Sequence, residues 1–326
     1  MSIKSVAVVG AGLAGLTCAQ QLKSLGFDVT VFEKSRGVGG RISTRRVDWA
    51  SFDHGAQYFT VRAPSFRQWV DGLLAEGTVA QWSPVMRTAP QKNDAWYVAC
   101  PGMNDLARAQ AKGLAIRLNT RVTALARVAD QWQLSMEDDT HQSGFDGVVL
   151  ALPNEQAVPL LAPHQTEWAE RLSAVPLQPC WTLMLTTAAL DVDYEAGQPI
   201  SGAIAWWARN DSKPARIQRQ GQQDWVVQAS ATWTAQNLQA DKATIIEALQ
   251  RALLVELDVP SCTVLETAMA HRWLYARRTP GLPAAESSWW SPSLQLGVCG
   301  DGLTHSRVEQ AYLSGHDMAL QIRNTA

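Results

Sequence analysis

The feature that most constrains this chain lies at its start. The β-branched run 6–9 is followed by Gly10-Ala11-Gly12-Leu13-Ala14-Gly15 and then by Leu16, Ala19 and Leu22 at helical spacing. That order reads as strand, tight turn and helix. Gly26 stops the helix, and Asp28-Val29-Thr30-Val31-Phe32-Glu33 supplies a second buried strand. The whole is a βαβ unit of about 30 residues, which demands a parallel sheet. Gly10, Gly12 and Gly15 let the turn close, let a pyrophosphate approach the backbone and let helix pack on strand. The helix start at Leu13 and Ala14 then turns its positive end toward that pyrophosphate. Glu33, at the end of the second strand, is placed to accept hydrogen bonds from a ribose.

Both NAD and FAD use such a unit, so the choice rests on Lys34-Ser35-Arg36-Gly37-Val38-Gly39-Gly40-Arg41. Gly39 and Gly40 allow backbone to lie against a cofactor. Lys34, Arg36 and Arg41 can reach phosphate oxygens through charge-assisted bonds. A nicotinamide site has no need for this second basic loop, which points to FAD.

With these residues in view, the sequence resembles the FAD-dependent amine oxidase superfamily. Residues 52–59 (FDHGAQYF) look like the family loop that passes the isoalloxazine ring, through Gly55, Ala56, Gln57, Tyr58 and Phe59. Gly300-Asp301, Arg307-Val308-Glu309-Gln310-Ala311 and Ser314-Gly315 resemble its closing flavin motif. The resemblance implies noncovalent FAD, with Val122 added to the cofactor contacts and the last helix dipole aimed at the flavin. Within the superfamily the bacterial renalases are most similar, on residues 34–41, 53–60, 206–214 (WWARNDSKP) and 271–277 (HRWLYAR). That implies oxidation of 2- and 6-dihydro isomers of NAD(P)H to NAD(P)+, with oxygen reduced to hydrogen peroxide. Two alternatives stay open: an amine or polyamine oxidase, and a flavin-binding redox sensor without rapid turnover.

Hydride loss from a dihydropyridine leaves an aromatic pyridinium directly, so orientation matters more than a base, and no catalytic side chain is assigned. The candidate substrate contacts are Tyr58, Trp96, Tyr97, Trp181, His271, Trp273 and Arg307. Each aromatic also reads as a core residue, His271 as a buried, satisfied histidine, and Arg307 as a surface or cofactor-phosphate arginine. The basic stretch Arg209, Lys213, Arg216 and Arg219 reads either as a solvated loop or as a dock for the distal phosphates of a dinucleotide. A lysine beside the flavin, common in amine oxidases, is not found between Lys242 and the carboxyl end.

The remaining expectations come from composition. The 326 residues are 46% hydrophobic and 18% charged with net charge −2, which offers no basic excess for nucleic acid. Five cysteines stand singly, without metal-ligand spacing, and no metal is expected. No apolar run approaches the ~20 residues that span a bilayer, and the first strand begins close to Met1. The expectation is therefore a cytoplasmic protein that takes a small dinucleotide and oxygen, with no nucleic-acid or membrane partner and its oligomeric state open. The expected fold is α/β: a Rossmann-like FAD-binding domain with a parallel sheet, interleaved with an α+β substrate domain on a mixed or antiparallel sheet. The boundaries are 1–75, 100–155 and 290–326 for the first domain, and 76–99 and 156–289 for the second.

Overall fold

A computed structural model describes residues 3–88, 94–260, 265–284 and 286–326. Its first layer is a six-stranded sheet in the order Ser288–Ser291, Leu296–Cys299, Gly147–Leu150, Ser5–Val9, Asp28–Phe32 and Ala115–Arg117. All neighbours pair in parallel except the first two. The central strands are buried on both faces, which is why they read as continuous apolar runs. The helix Leu13–Ser24 packs against the closing helix Val308–Thr325, where Gly315 lies directly against the backbone of Ala14 and leaves no room for a side chain.

The second layer is an antiparallel sheet of five strands, in the order Ala196–Gly197, Ile204–Arg209, Gln222–Ala229, Leu177–Ala188 and Leu265–Arg278. Side chains alternate across it. Trp181, Leu183, Leu185, Trp207, Trp225 and Val227 face Ile245, Leu249 and Leu253 of the helix Lys242–Leu257. Trp206 and Ala208 instead join the core shared with the nucleotide-binding layer. The long edge strand Leu265–Arg278 is not anticipated from sequence, because a bulge opposite Gln178 and Cys180 and a charge-rich end break its alternation. The helix Asn154–Leu161 is likewise hidden by Pro159 within it.

Strand Ser288–Ser291 straddles the boundary expected at residue 290. Cys18, Cys100, Cys180 and Cys299 are free, and Cys262 lies outside the described residues. Among the described residues no helix is long and apolar enough to cross a membrane, and no group of side chains is arranged to hold a metal.

Candidate active site

A cavity of about 480 Å³ opens where the glycine turn, the loop after Asp53, the closing helix and the inner face of the antiparallel sheet converge. Its floor follows from backbone geometry. Valine at position 15 would collide with the carbonyl oxygen of Gly10, so glycine is required there for helix to reach strand. Gly12 differs, because a Cβ built on it meets no protein atom within 4 Å and would project into open space at the cavity wall. Close approach by a ligand is what that vacant position permits. Leu13 and Ala14 at one helix start and Val308 and Ala311 at another also line the cavity, so two positive helix ends converge on it.

Three further contacts hold this floor. Glu33 is buried, and its two carboxylate oxygens accept from the N–H of Ala11 at 2.9 Å and of Ser35 at 2.8 Å. Arg41 pairs with Asp301 at 2.6 Å, and its carbonyl accepts from Ala56 at 2.9 Å. Gly55 presses against that same carbonyl and leaves no room for a side chain. The loop carrying Gly55, Ala56, Gln57, Tyr58 and Phe59 is thereby stapled along the cavity.

Of the residues singled out from sequence, Gly12, Leu13, Ala14, Gly39, Arg41, Gly55, Ala56, Gln57, Tyr58, Phe59, Gly300, Asp301, Arg307, Val308 and Ala311 line the cavity. So do Trp96 and Trp273. Gly10 and Gly15 lie beneath the turn, and Glu33 lies behind it. Lys34, Arg36 and Gly40 are exposed outside the cavity, Lys34 donating to Gln156 at 3.0 Å. Val122 is buried in the core beside Phe32, away from the cavity lining.

Three substrate candidates are displaced by strand geometry. Trp181 points to the outer face of its sheet, where its indole donates to the carbonyl of Asn237 at 3.0 Å, and its neighbour Cys180 faces the cavity instead. Tyr97 turns away from Trp96, stacks on Phe59 at 5.9 Å and accepts from Arg67 at 3.2 Å. His271 stands behind Trp273 and His54, with ring centroids 4.5 and 4.9 Å away. Burial, reinforced by Arg45, pushes its imidazole down to about 4. His54 is pushed down to about 3, first by burial and then by His271 and Arg45, and its Nδ1 meets the carbonyl of Ser43. Both histidines are neutral members of the wall's backing.

The basic stretch is neither a solvated loop nor a phosphate dock. Arg209 pairs with Glu195 at 2.8 Å and Arg219 pairs with Asp224, while Lys213 and Arg216 are buried against Asp53 at 3.4 and 2.5 Å. A buried lysine, Lys213, therefore does stand beside the flavin loop, ahead of Lys242 in the chain.

Sequence reasoning missed Trp206, Gln228, Cys180 and Arg277, all of which line the cavity. Trp206 completes an aromatic corner: Tyr58 stacks on Trp96 at 4.1 Å and 16°, with Trp206 5.3 Å from Tyr58 and 5.7 Å from Trp96. The Trp206-Trp207 pair was visible in sequence, but which of the two faces inward depends on register. Three carboxylates at the cavity are already engaged: Asp301 by Arg41, Asp94 by Arg62, and Glu309 by the N–H groups of Arg62 and Ala63. Arg277 and Arg307 form no ion pair among the described residues.

Fold and site together define a two-layer dinucleotide-binding fold with its cavity between a parallel and an antiparallel sheet. Residues 8–73 match the NAD(P)-binding Rossmann-like domain, and residues 78–188 match the flavin containing amine oxidoreductase family. Each of the two matches spans part of the chain, and the cofactor is FAD. Over 73 residues it is 42% identical to protoporphyrinogen oxidase 2 of Arabidopsis thaliana, a match covering 22% of this chain and 14% of that protein. Over 50 residues it is 46% identical to a 4,4'-diapophytoene desaturase of Staphylococcus aureus, covering 15% of this chain and 10% of that one. Solved structures agree in fold. A protein of Exiguobacterium sp. 255-15 assigned by name to protoporphyrinogen oxidase superposes with TM-score 0.80 over 100% of both chains at 11% identity. A putrescine oxidase triple mutant does so with TM-score 0.76 over 99% of both at 13% identity.

Proposed function

We propose that this protein is a flavin-dependent oxidase that takes a hydride from 2- and 6-dihydro isomers of NAD(P)H, releasing NAD(P)+, and passes the two electrons to oxygen to form hydrogen peroxide. The observation that carries this reading is the pair Arg277 and Arg307, cations that form no ion pair among the described residues and that line the same cavity as an aromatic corner. Two such cations suit the phosphates and carboxamide oxygen of a dinucleotide. They repel a protonated diamine, whose own charges need acidic partners, and the three carboxylates at the cavity are engaged elsewhere.

The lining also suits a reaction without a base. Burial raises the Tyr58 phenol, with Asp94 adding to it, and burial raises the Cys180 thiol, so both keep their protons. The two depressed histidines lie outside the cavity lining. Bound FAD supplies the hydride acceptor and then the electrons for oxygen. Tyr58, Trp96 and Trp206 offer flat apolar faces that exclude water and hold a planar ring in one plane. Gln228 donates to the carbonyl of Gly55, tying the substrate sheet to the flavin loop.

Anaerobic mixing of the FAD-loaded protein with isomeric dihydro-NAD, ordinary NADH and a panel of amines tests this reading. Rapid loss of flavin colour with the dihydro isomers is the expected result. Bleaching by amines alone overturns it, and bleaching by none of them replaces it with a flavin-binding sensor.

A further inference from the structure

Behind the flavin loop lies a buried charge cluster to which the reaction above assigns no role. The Lys213 side chain follows the short turn Asn210–Ser212 and is wholly enclosed. Its Nζ lies 3.1 Å from Gln57 Oε1, 3.4 Å from Asp53 Oδ2 and 3.4 Å from Asn210 Oδ1, which employs all three ammonium donors. The ring of Trp82 closes the remaining side at 5.5 Å. Gln57 in turn lines the cavity, and its amide nitrogen donates to the carbonyls of Asp53 and of Gly55. One side chain therefore separates the lysine from the flavin-facing floor.

We propose that Lys213, acting through Gln57, is a positioning residue whose protonation switches the charge beneath the cavity floor and so sets how readily the flavin accepts electrons. This holds whichever substrate donates them. The charge count is simple. Asp53, from the strand Ser51–Asp53, carries one negative charge and faces two cations, Lys213 and Arg216. Gln57 and Asn210 are neutral, as is Trp82 from the strand Val79–Trp82. Cys100, on the far side of Arg216, is neutral too, because burial raises its thiol. The cluster thus carries one net positive charge with the lysine protonated and none without it. Buried among protein dipoles, such a charge favours the electron-rich reduced cofactor.

The switch falls in an accessible range. Burial lowers Lys213 to about 8, with Arg216 adding to the effect and Asp53 opposing it. Asp53 itself stays ionised: burial acts to raise its carboxyl, but Lys213, Arg216 and the Met103 N–H outweigh burial and hold it at about 2.

The test is the flavin midpoint potential of the FAD-loaded protein, measured by dye equilibration without substrate from about pH 6 to about pH 10, which brackets the shifted and ordinary lysine values. Wild type, Lys213→Arg and Lys213→Met are compared. The wild-type curve is expected to follow the arginine variant at low pH and the methionine variant at high pH, crossing near 8. A unit charge at this depth is worth on the order of tenfold in the reduction equilibrium, ~30 mV for a two-electron couple. Parallel curves for all three proteins overturn the proposal, since a lysine that only packs the loop changes stability or FAD affinity without producing two plateaus. If Lys213→Met does not fold, wild type and Lys213→Arg decide alone: curves that part as pH rises support the switch, and curves that never part refute it.

Discussion

The two sides of the cavity are built by different means. Its nucleotide side is contributed largely by one continuous stretch, in which Gly12, Leu13, Ala14, Gly39 and Arg41 lie within a single βαβ unit and the loop after it. Its substrate side is assembled from Cys180, Gln228, Trp206 and Trp273, one from each of four antiparallel strands. The first depends on backbone shape, which local sequence dictates. The second depends on which face each side chain takes, and a slip of one residue would exchange Trp206 for Trp207 and Cys180 for Trp181.

The sharpest way to break this contrast is to attack the joint between the sides. Asp53→Asn leaves Lys213 and Arg216 buried with no counter-charge, and should cost about 3–5 kcal/mol of stability in urea unfolding. A loss under about 1 kcal/mol would mean that Asn210 and Gln57 suffice to hold the cations. On the nucleotide side, Gly15→Val drives a side chain into the Gly10 carbonyl and should leave protein that purifies without flavin absorbance. Full retention of FAD would show that the turn can shift.

On the substrate side, Arg307→Ala and Arg277→Ala should each weaken dihydronucleotide binding by roughly tenfold while FAD stays bound, the worth of a charge-assisted contact. Reduction kinetics unchanged across substrate concentration would remove that arginine from the substrate site. Acid should then loosen the wall between the two sides. His54 and His271 are depressed from 6.5 to about 3 and about 4, so the unfolded chain binds their protons first. Their contribution to stability is complete above pH 6.5 and drains away together as pH falls below it, the loss ending near 4 for His271 and near 3 for His54. Thermal unfolding followed across that window should show the decline, and a His54→Gln, His271→Gln double variant should flatten it. The smallest effect belongs to Trp181→Phe, which loses one hydrogen bond to Asn237, about 1 kcal/mol, and leaves flavin reduction untouched. A slowed reduction would put Trp181 back at the substrate.

Much of the nucleotide side was legible because each of its signals is local. Gly12 beside a helix start, Arg41 ending a glycine-rich loop, and Gly300-Asp301 ahead of the last helix all keep their meaning wherever the rest of the chain goes. Even there, side-chain direction was beyond reach: Lys34 and Arg36 are basic residues in the expected loop, yet both stand outside the cavity.

The sequence by itself determined the βαβ unit, the flavin-type glycine loop and the closing helix, because strand and helix periodicity and the demands of tight turns act over a few residues. Only the tertiary structure decided which aromatic ring of each neighbouring pair meets the cavity, since the pairing register of distant strands settles that. It also turned a basic stretch that reads as solvent-facing into the buried partners of Asp53, some 160 residues away in the chain, a pairing for which local sequence carries no signal. The arginines that orient the substrate reading gain their meaning the same way, from the carboxylates around them having found other partners.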